Sequence, residues 1–488
     1  MGVEKMSKLL KLEDVMQTSE LLNSFEGELL NKSLFTDFTI EKIEYETRYM
    51  KLGKNRLFID LMKSERGIIE KLKETDIFVT SQPALDYKDR FAQFIVPDTR
   101  TFLFSLAEHA RRNFLGAVIG VTGSVGKTTT RMMISYMLEK AGSKVLANRG
   151  NHNSRISIPF YTSLLNLSQD YACIEIAAGG MLKNKKNGNL ADYVQPDIAV
   201  ITNIGEAHLE RYNSTMEIAQ IKSGIMDRMK PDSPVVINQD FSKTELDYIR
   251  DKAEKLGLRV ITYSKNDSNA DVFVKEKRSD GLVIDLAGQL IEYQLPNYSD
   301  ALIENSMASL AVMSLLNLDV RQAAFDLKEF KTLKRIMKEQ HLVHQEQRFI
   351  LIDDTHNAAF PSMKNAIQLF ASKKSEHRGT SILVLSQIAE LGEESEKIHE
   401  KLVPYIIEAK PDILIGYTDK LIPVLQQVEK KGIFCQWCKN MDELCKSILA
   451  NIEEDSLVLL KGSVSGSDFQ QIGVEIIKTT SQMEGVTN

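Results

Sequence analysis

Residues 120–130 read Gly-Val-Thr-Gly-Ser-Val-Gly-Lys-Thr-Thr-Thr. An apolar run (Leu115 to Val121) precedes them and a helix-like stretch (Arg131 to Lys140) follows. This is the strand, glycine loop and helix order of a phosphate cradle. Small residues let the backbone curl round an anion, and N–H groups at the helix start point inward. Gly123, Ser124, Gly126 and Thr129 supply that backbone, Lys127 a fixed positive charge, and the Thr128 hydroxyl a ligand for Mg²⁺. The strict pattern places a glycine five residues before Gly126, where this chain has Val121. The loop is therefore a variant of the phosphate-binding motif. The bland alternative is a glycine-rich turn that only joins strand to helix.

A chain of 488 residues is too long for one ordinary core, and about three domains is the natural expectation. A net charge of −6 argues against a general nucleic-acid binder, which would carry a basic surplus. No apolar run approaches the length of a membrane span, and the mixed charges of Met1 to Val15 do not suit a signal peptide. A cytoplasmic monomer is expected. Four cysteines in so long a chain make no disulfide framework. Cys435 and Cys438 form a C-x-x-C with Cys445 nearby, but no fourth local ligand completes a zinc site. Gly432 to Cys438 reads as a short strand.

Three regions are expected, at 1–115, 116–333 and 334–488. The first carries short strand-like pieces (Thr39 to Tyr45, Arg56 to Ile59, Asp76 to Thr80, Gln93 to Val96) and a helix near Thr101 to Asn113. In the second, apolar strands recur at Ala172 to Ile176, Ile198 to Asn203 and Pro234 to Asn238. Such continuous runs suit strands buried on both faces. Between Asp271 and Leu295 the pattern becomes short alternating strands, as in antiparallel hairpins, and a helix covers Ala301 to Leu316. From Arg348 onward strand and helix alternate five times, with strands at Phe349 to Asp353, Ser381 to Ser386, Asp412 to Tyr417, Ile433 to Gln436 and Leu457 to Lys461. That is a doubly wound α/β sheet, whose ligands gather at the carboxyl ends of its strands.

Glu175 lies on an apolar strand, where a carboxylate is costly unless paired or bound to metal. His208 follows the strand Ile198 to Asn203 and, alone, reads as a loop histidine. Lys222, alone, reads as part of a solvated helix face. Together with Thr122 to Thr130, Asn151-His152-Asn153 and the run Pro196-Asp197 through His208, these residues closely resemble the Mur ligase superfamily, whose own short loop is Thr-Gly-x-x-Gly-Lys-Thr. Three further stretches are similar to the branch that adds D-alanyl-D-alanine to a UDP-muramoyl tripeptide. They are Asp353-Asp354-Thr355-His356-Asn357-Ala358, then Glu390-Leu391-Gly392-Glu393-Glu394-Ser395 with His399, and Leu460-Lys461-Gly462-Ser463. The resemblance implies a small N-terminal α/β domain, a central ATPase domain and a C-terminal Rossmann-like domain. It implies ATP and Mg²⁺, with Lys127 on the β- and γ-phosphates and Thr128 and Glu175 on a Mg²⁺. His208 would serve a second Mg²⁺, helped by Lys222 as a carbamate. Asn305 would meet the adenine, Asp354 the ribose, and Arg335 the joint between central and C-terminal domains.

The implied activity joins a carboxylate to an amine through an acyl phosphate, with a UDP-linked peptide and a dipeptide as substrates. Several positions depart from the family pattern. The His-Asn expected upstream of Asn305 is replaced by Ala301 and Leu302. Ser386-Gln387 stands for Gly-Asp, Lys334 for the glycine before Arg335, and Pro361 is displaced by one. The glycine- and aspartate-rich stretch for the UDP-sugar is missing from residues 1–115. A paralogue joining another carboxylate and amine therefore stays open. So do an ATP-binding interaction protein without ligase activity and a simple phosphotransferase.

Overall fold

The computed structural model describes residues 18–35, 39–45, 55–61, 69–87, 89–150, 152–165, 168–182, 188–205, 212, 214–278, 280–331 and 337–482. Those residues form three sheets. The first has five strands, in the order Glu28–Leu30, Ala92–Ile95, Ile77–Thr80, Arg56–Ile59, Lys42–Glu44. Its first pair is antiparallel and the others are parallel. The second has nine, in the order Gln289–Tyr293, Leu282–Leu286, Val272–Lys277, Arg259–Ser264, Pro234–Asn238, Ile198–Ile201, Ala117–Thr122, Tyr171–Glu175, Val145–Ala147. The third has seven, in the order Phe434–Cys438, Ile413–Tyr417, Ser381–Leu385, Ser456–Lys461, Gln347–Asp354, Lys338–His344, Ser481–Gln482. Among the described residues, no helix is long and apolar enough to cross a membrane.

The chain divides into two compact units: Met1–Val121 with Leu138–Ala199 and Gly224–Ser233, and Thr122–Met137 with Val200–Ser223 and Pro234–Asn488. In the first unit, the five-stranded sheet packs Leu57, Ile59, Ile77, Val79 and Phe94 against Phe102, Leu103 and Leu106 of the helix Thr99–Asn113. Asp98 caps that helix by accepting from Thr101 N, which satisfies one of the donors a helix start leaves open. At its far end, Arg111 donates to the carbonyls of Val194 and Gln195 and pairs with Asp197 at 2.9 Å. The same Asp197 oxygen accepts from Val118 N.

In the second unit, Pro234–Asn238 and Arg259–Ser264 run parallel, and Val272–Lys277, Leu282–Leu286 and Gln289–Tyr293 follow as antiparallel hairpins. All five strands expected after Arg348 are present and parallel to one another in the third sheet. The chain returns to insert Ser456–Lys461 between Ser381–Leu385 and Gln347–Asp354. Phe434–Cys438 is the short strand anticipated for the cysteine-bearing segment, and it lies at the edge of the sheet. Five strands of the described residues had no clear sequence signal: Glu28–Leu30, Val145–Ala147, Arg259–Ser264, Lys338–His344 and Ser481–Gln482, the last of which begins the segment expected to be a frayed tail. Lys338–His344 buries only Gln340 and Leu342, so its composition looks like a loop. Arg259–Ser264 starts on exposed and half-buried residues, with its buried part in Thr262 to Ser264.

A polar knot lies inside the first sheet. Arg56 donates its Nε and one terminal nitrogen to Asp76, the closer contact at 2.6 Å, and its other terminal nitrogen lies 3.6 Å from Glu44. The Asp76 side chain is fully buried and also accepts from the Arg56 and Lys73 N–H groups. Removing one partner of a buried ion pair leaves the other charge uncompensated. Asp76→Ala is therefore expected to lower the unfolding free energy by about 3–5 kcal/mol. Denaturant titration followed by circular dichroism checks it; a change below about 1 kcal/mol would show that the pair is dispensable.

Candidate active site

The strand Ala117–Thr122 carries the chain straight into the loop. Val121 is still in the strand, fully buried and opposite Glu175 in the register. The glycine of the strict motif is absent because the turn begins only after that position. Gly123 and Gly126 then take φ values of +153° and +83°. Close approach explains both. A Cβ on Gly123 would lie 2.0 Å from Thr202 Oγ1, and one on Gly126 would lie 2.5 Å from Asn305 Oδ1.

The segment after Ile198–Ile201 fixes the shape of the loop. Thr202 N donates to Thr122 O, and the Thr202 hydroxyl reaches Val125 O at 2.5 Å and Thr122 O at 3.2 Å. Ser124 N donates to Asn203 O. The Ser124 hydroxyl donates to Gly205 O and accepts from Gly205 N, each at 3.0 Å. Three loop peptides are thereby set by the neighbouring segment. This preorganisation matters because donors already aimed at a developing charge need no reorganisation when it forms.

Two lysines converge on the loop. Lys127, the first residue of helix Lys127–Lys140, donates to Ser124 O at 3.2 Å. Lys222 ends helix Thr215–Lys222, is 3% exposed, and donates to Gly123 O at 2.8 Å. Its position corrects the reading of Lys222 as a solvated face: the helix end aims it into the interior. Asn305 is also buried, on helix Asp300–Leu315, and accepts from the Thr130 hydroxyl at 3.1 Å. It thus braces the helix that follows the loop. Leu302, one turn earlier, is 4% exposed, so the position expected to carry a polar residue has become core.

In the other unit, Glu175 ends the strand Tyr171–Glu175 and is 1% exposed. Asn148 grips its backbone, accepting from Glu175 N at 2.8 Å and donating to Glu175 O at 3.0 Å. Asn153 donates to the carboxylate at 2.6 Å. The sequence singled out Asn153 but not Asn148, for which a lone asparagine after a short strand gives no signal. Thr202 and Gly205 fall inside the run Pro196 to His208 but were not singled out, because a threonine at a strand end and a turn glycine are ordinary there. His208 and Arg335 lie outside the described residues.

The carboxyl ends of the third sheet gather a second polar group. Asp354 and Lys461, the last residues of adjacent parallel strands, pair at 2.7 Å with both side chains buried. Lys461 also donates to Asn357 O at 2.7 Å, and Asp354 accepts from Met337 N. Burial raises the Asp354 carboxyl above its usual range, with Lys461 opposing the shift. Asp353 accepts from the Thr355 N–H and hydroxyl. Ser386 N donates to Lys461 O, and Ser463 N to Gln387 O, so the segments of the remaining two motifs interlock. His399 is fully buried, its Nε2 accepting from Ile388 N at 2.8 Å and its Nδ1 donating to Ser395 O at 2.6 Å. It thereby clamps the loop in which Glu390 sits at φ +60°.

A phosphate loop with a buried lysine behind it, and a doubly wound sheet with a buried Asp–Lys pair at its strand ends, together define an ATP-dependent ligase of the three-domain α/β kind. Residues 121–313 match the Mur ligase middle domain, and residues 340–464 match the Mur ligase, glutamate ligase domain. The chain belongs to the Mur ligase family. It is 28% identical over 468 residues to the UDP-N-acetylmuramoyl-tripeptide–D-alanyl-D-alanine ligase of Bacillus subtilis, covering 93% of this chain and 96% of the relative. The fold is similar to the MurF crystal structure from Acinetobacter baumannii, with a TM-score of 0.78, 22% identity and coverage of 95% and 98% of the two chains. The MurF ligase of Thermotoga maritima in complex with ADP gives 0.71 and 22%, covering 90% and 98%.

Burial holds the His399 imidazole below its usual value; the bond to Ser395 opposes this and Lys420 adds to it. The unfolded chain therefore binds this proton more readily than the folded one. Stability is fully present above the unfolded value near 6.5 and falls as pH drops through the folded value. The slope for one such proton is at most about 1.4 kcal/mol per pH unit. His399→Asn is expected to flatten the pH dependence of unfolding below pH ~6.5, measured by denaturant titration at several pH values. An unchanged slope would assign the proton uptake elsewhere.

Proposed function

We propose that this protein is an ATP-dependent, ADP-forming ligase that adds D-alanyl-D-alanine to a UDP-muramoyl tripeptide in peptidoglycan synthesis. The observation that carries the reading is the preformed phosphate loop, with Lys127 and Lys222 both bonded to its carbonyls. The named relative, similar along nearly the whole chain, supports the choice of substrates. We assign residues 1–115 to the carboxylate substrate, 116–333 to ATP and 334–488 to the amine. ATP supply sets the reaction in the cytoplasm, and a monomer suffices for it.

A carboxylate is a poor acylating agent because its leaving group would be oxide or hydroxide. In the proposed reaction its oxygen attacks the γ-phosphorus, ADP leaves, and an acyl phosphate results. The amine nitrogen then attacks the acyl carbon, phosphate leaves, and the nitrogen gives up a proton. Both steps gather charge on phosphoryl oxygens, which Lys127 and the N–H groups of the loop are built to stabilise. Asn305 is assigned to the adenine, Asp354 to the ribose and Arg335 to the joint between domains. Thr128 and Glu175 offer the oxygen donors that Mg²⁺ prefers. Lys222 as an ammonium has no lone pair to give, so only its carbamate would join His208 at a second ion. Bound Mg²⁺ would neutralise phosphate charge.

A second reading, a paralogue with another carboxylate and amine, is favoured by two positions. Leu302 is buried where the family places a polar residue. Gln387 lies over Gly466, where a Cβ would come within 2.2 Å of its Nε2 at a φ of +80°. The deciding assay supplies Mg²⁺, ATP, UDP-muramoyl tripeptide and D-alanyl-D-alanine, and follows ADP release and product mass. Acceptor-dependent ADP and a product heavier by one dehydrated dipeptide are expected. ATP binding without that product would sink the proposed substrates and leave the paralogue. Lys127→Ala is expected to cut turnover at least about 10²-fold; steady-state rates near the parent's would remove the loop from the mechanism.

A further inference from the structure

Gly205 touches two parts of the molecule at once. On one side its N–H and carbonyl hold the Ser124 hydroxyl of the phosphate loop. On the other it meets Pro361 in the first turn of helix Phe360–Lys374. A Cβ added at Gly205 would lie 2.8 Å from Pro361 Cγ and 3.0 Å from Asn203 Oδ1. Only a residue without a side chain allows this approach.

The helix that begins at Phe360 is not free to slide. Ser362 Oγ accepts from Ala359 N and donates to Ala359 O, and Ala358 N bonds the Asn357 side chain. Asn357 O in turn accepts from Lys461, the partner of Asp354. Ser124, Gly205, Pro361, the 357–359 turn and the Lys461–Asp354 pair thus form an unbroken chain of contacts. The links are hydrogen bonds, an ion pair and the close approach of Gly205 to Pro361, with the capped backbone joining Pro361 to the 357–359 turn. The displaced proline noted in the sequence supplies the middle link.

We propose that Gly205 and Pro361 are positioning residues that couple the phosphate loop to the strand ends of the third sheet, so that a filled loop sets the site where the amine attacks. The proposal rests on the ligase reading for its chemistry but not for its geometry. It predicts that disturbing the contact harms amide formation more than nucleotide binding. A methyl at Gly205 pushes Pro361 away, and shortening Pro361 makes room for that methyl.

The test compares Gly205→Ala, Pro361→Ala and the double variant in the full-length protein. Affinity for a fluorescent ATP analogue, kcat and KM for the amine are measured, together with hydrogen exchange across residues 357–362 with and without Mg-ATP. Gly205→Ala is expected to lower kcat about 10-fold or more, on the scale of small misplacements of reacting groups, while nucleotide affinity changes less than about 3-fold, far under that scale. Pro361→Ala in the same chain is expected to restore most of the loss. Mg-ATP should slow exchange at 357–362 in the parent and the double variant but not in Gly205→Ala. This readout needs no acceptor, so it separates failure of the coupling from failure of the proposed substrates. Equal losses in affinity and kcat without rescue would reduce Gly205 to a part of the loop and overturn the proposal. So would a Gly205→Ala variant that matches the parent, or exchange that ignores Mg-ATP in the parent.

Discussion

The backbone approach between Gly123 and Thr202 governs much of what surrounds the phosphate loop. With no Cβ at residue 123, the strand end at 202–205 can lie directly against the loop. Thr202, Asn203 and Gly205 then supply the bonds that shape it. A loop of this length left to itself would sample many conformations, at about 1–2 kcal/mol of entropy per residue fixed. The neighbouring strand removes that freedom in advance. Gly123 O and Ser124 O are left to receive Lys222 and Lys127. Two lysine side chains from different elements therefore end on neighbouring carbonyls of the loop.

Buried charge recurs across the sheets but serves different ends. In the first sheet, Arg56, Asp76 and Glu44 close on one another. Burial is the largest influence on Glu44 and raises its carboxyl, with Arg56 opposing. Arg56 starts its strand, Asp76 directly precedes the next and Glu44 ends its own, so the three tie neighbouring strands together as an internal brace. At the ends of the third sheet, Asp354 and Lys461 are also buried and paired. They occupy the carboxyl ends of adjacent parallel strands, where open α/β sheets bind ligands. The chemistry of the two groups is alike, and position separates their roles.

Much of the fold was legible because α/β layers write themselves in apolar runs. The strands at Tyr171–Glu175, Ile198–Ile201 and Pro234–Asn238, and four of the five parallel strands after Arg348, are largely buried on both faces, so each reads as a continuous hydrophobic segment; the edge strand Phe434–Cys438 is the exception. Lys338–His344 escaped notice because an antiparallel edge neighbour buries few of its side chains. The site was legible wherever a residue type is unusual in its setting, as with Glu175 in an apolar strand. It was illegible where an ordinary residue acts through its backbone or its small size. Asn148, Thr202 and Gly205 belong to that group.

By itself the sequence determined the phosphate loop, the doubly wound C-terminal sheet and the carboxylate on a buried strand, because spacing and polarity are local properties. Tertiary structure alone decided that Lys222 points inward to Gly123 O, that Leu302 is core and that Asn305 braces Thr130. It also decided that Pro361 rests on Gly205. Each of these depends on which segments a fold brings within a few ångströms across long stretches of chain, 99 residues for Lys222 and 175 for Asn305, and no local pattern encodes such a meeting. Lys222 shows the difference most plainly: on its helix it looks solvated, and the fold brings its Nζ onto a carbonyl of the loop 99 residues away.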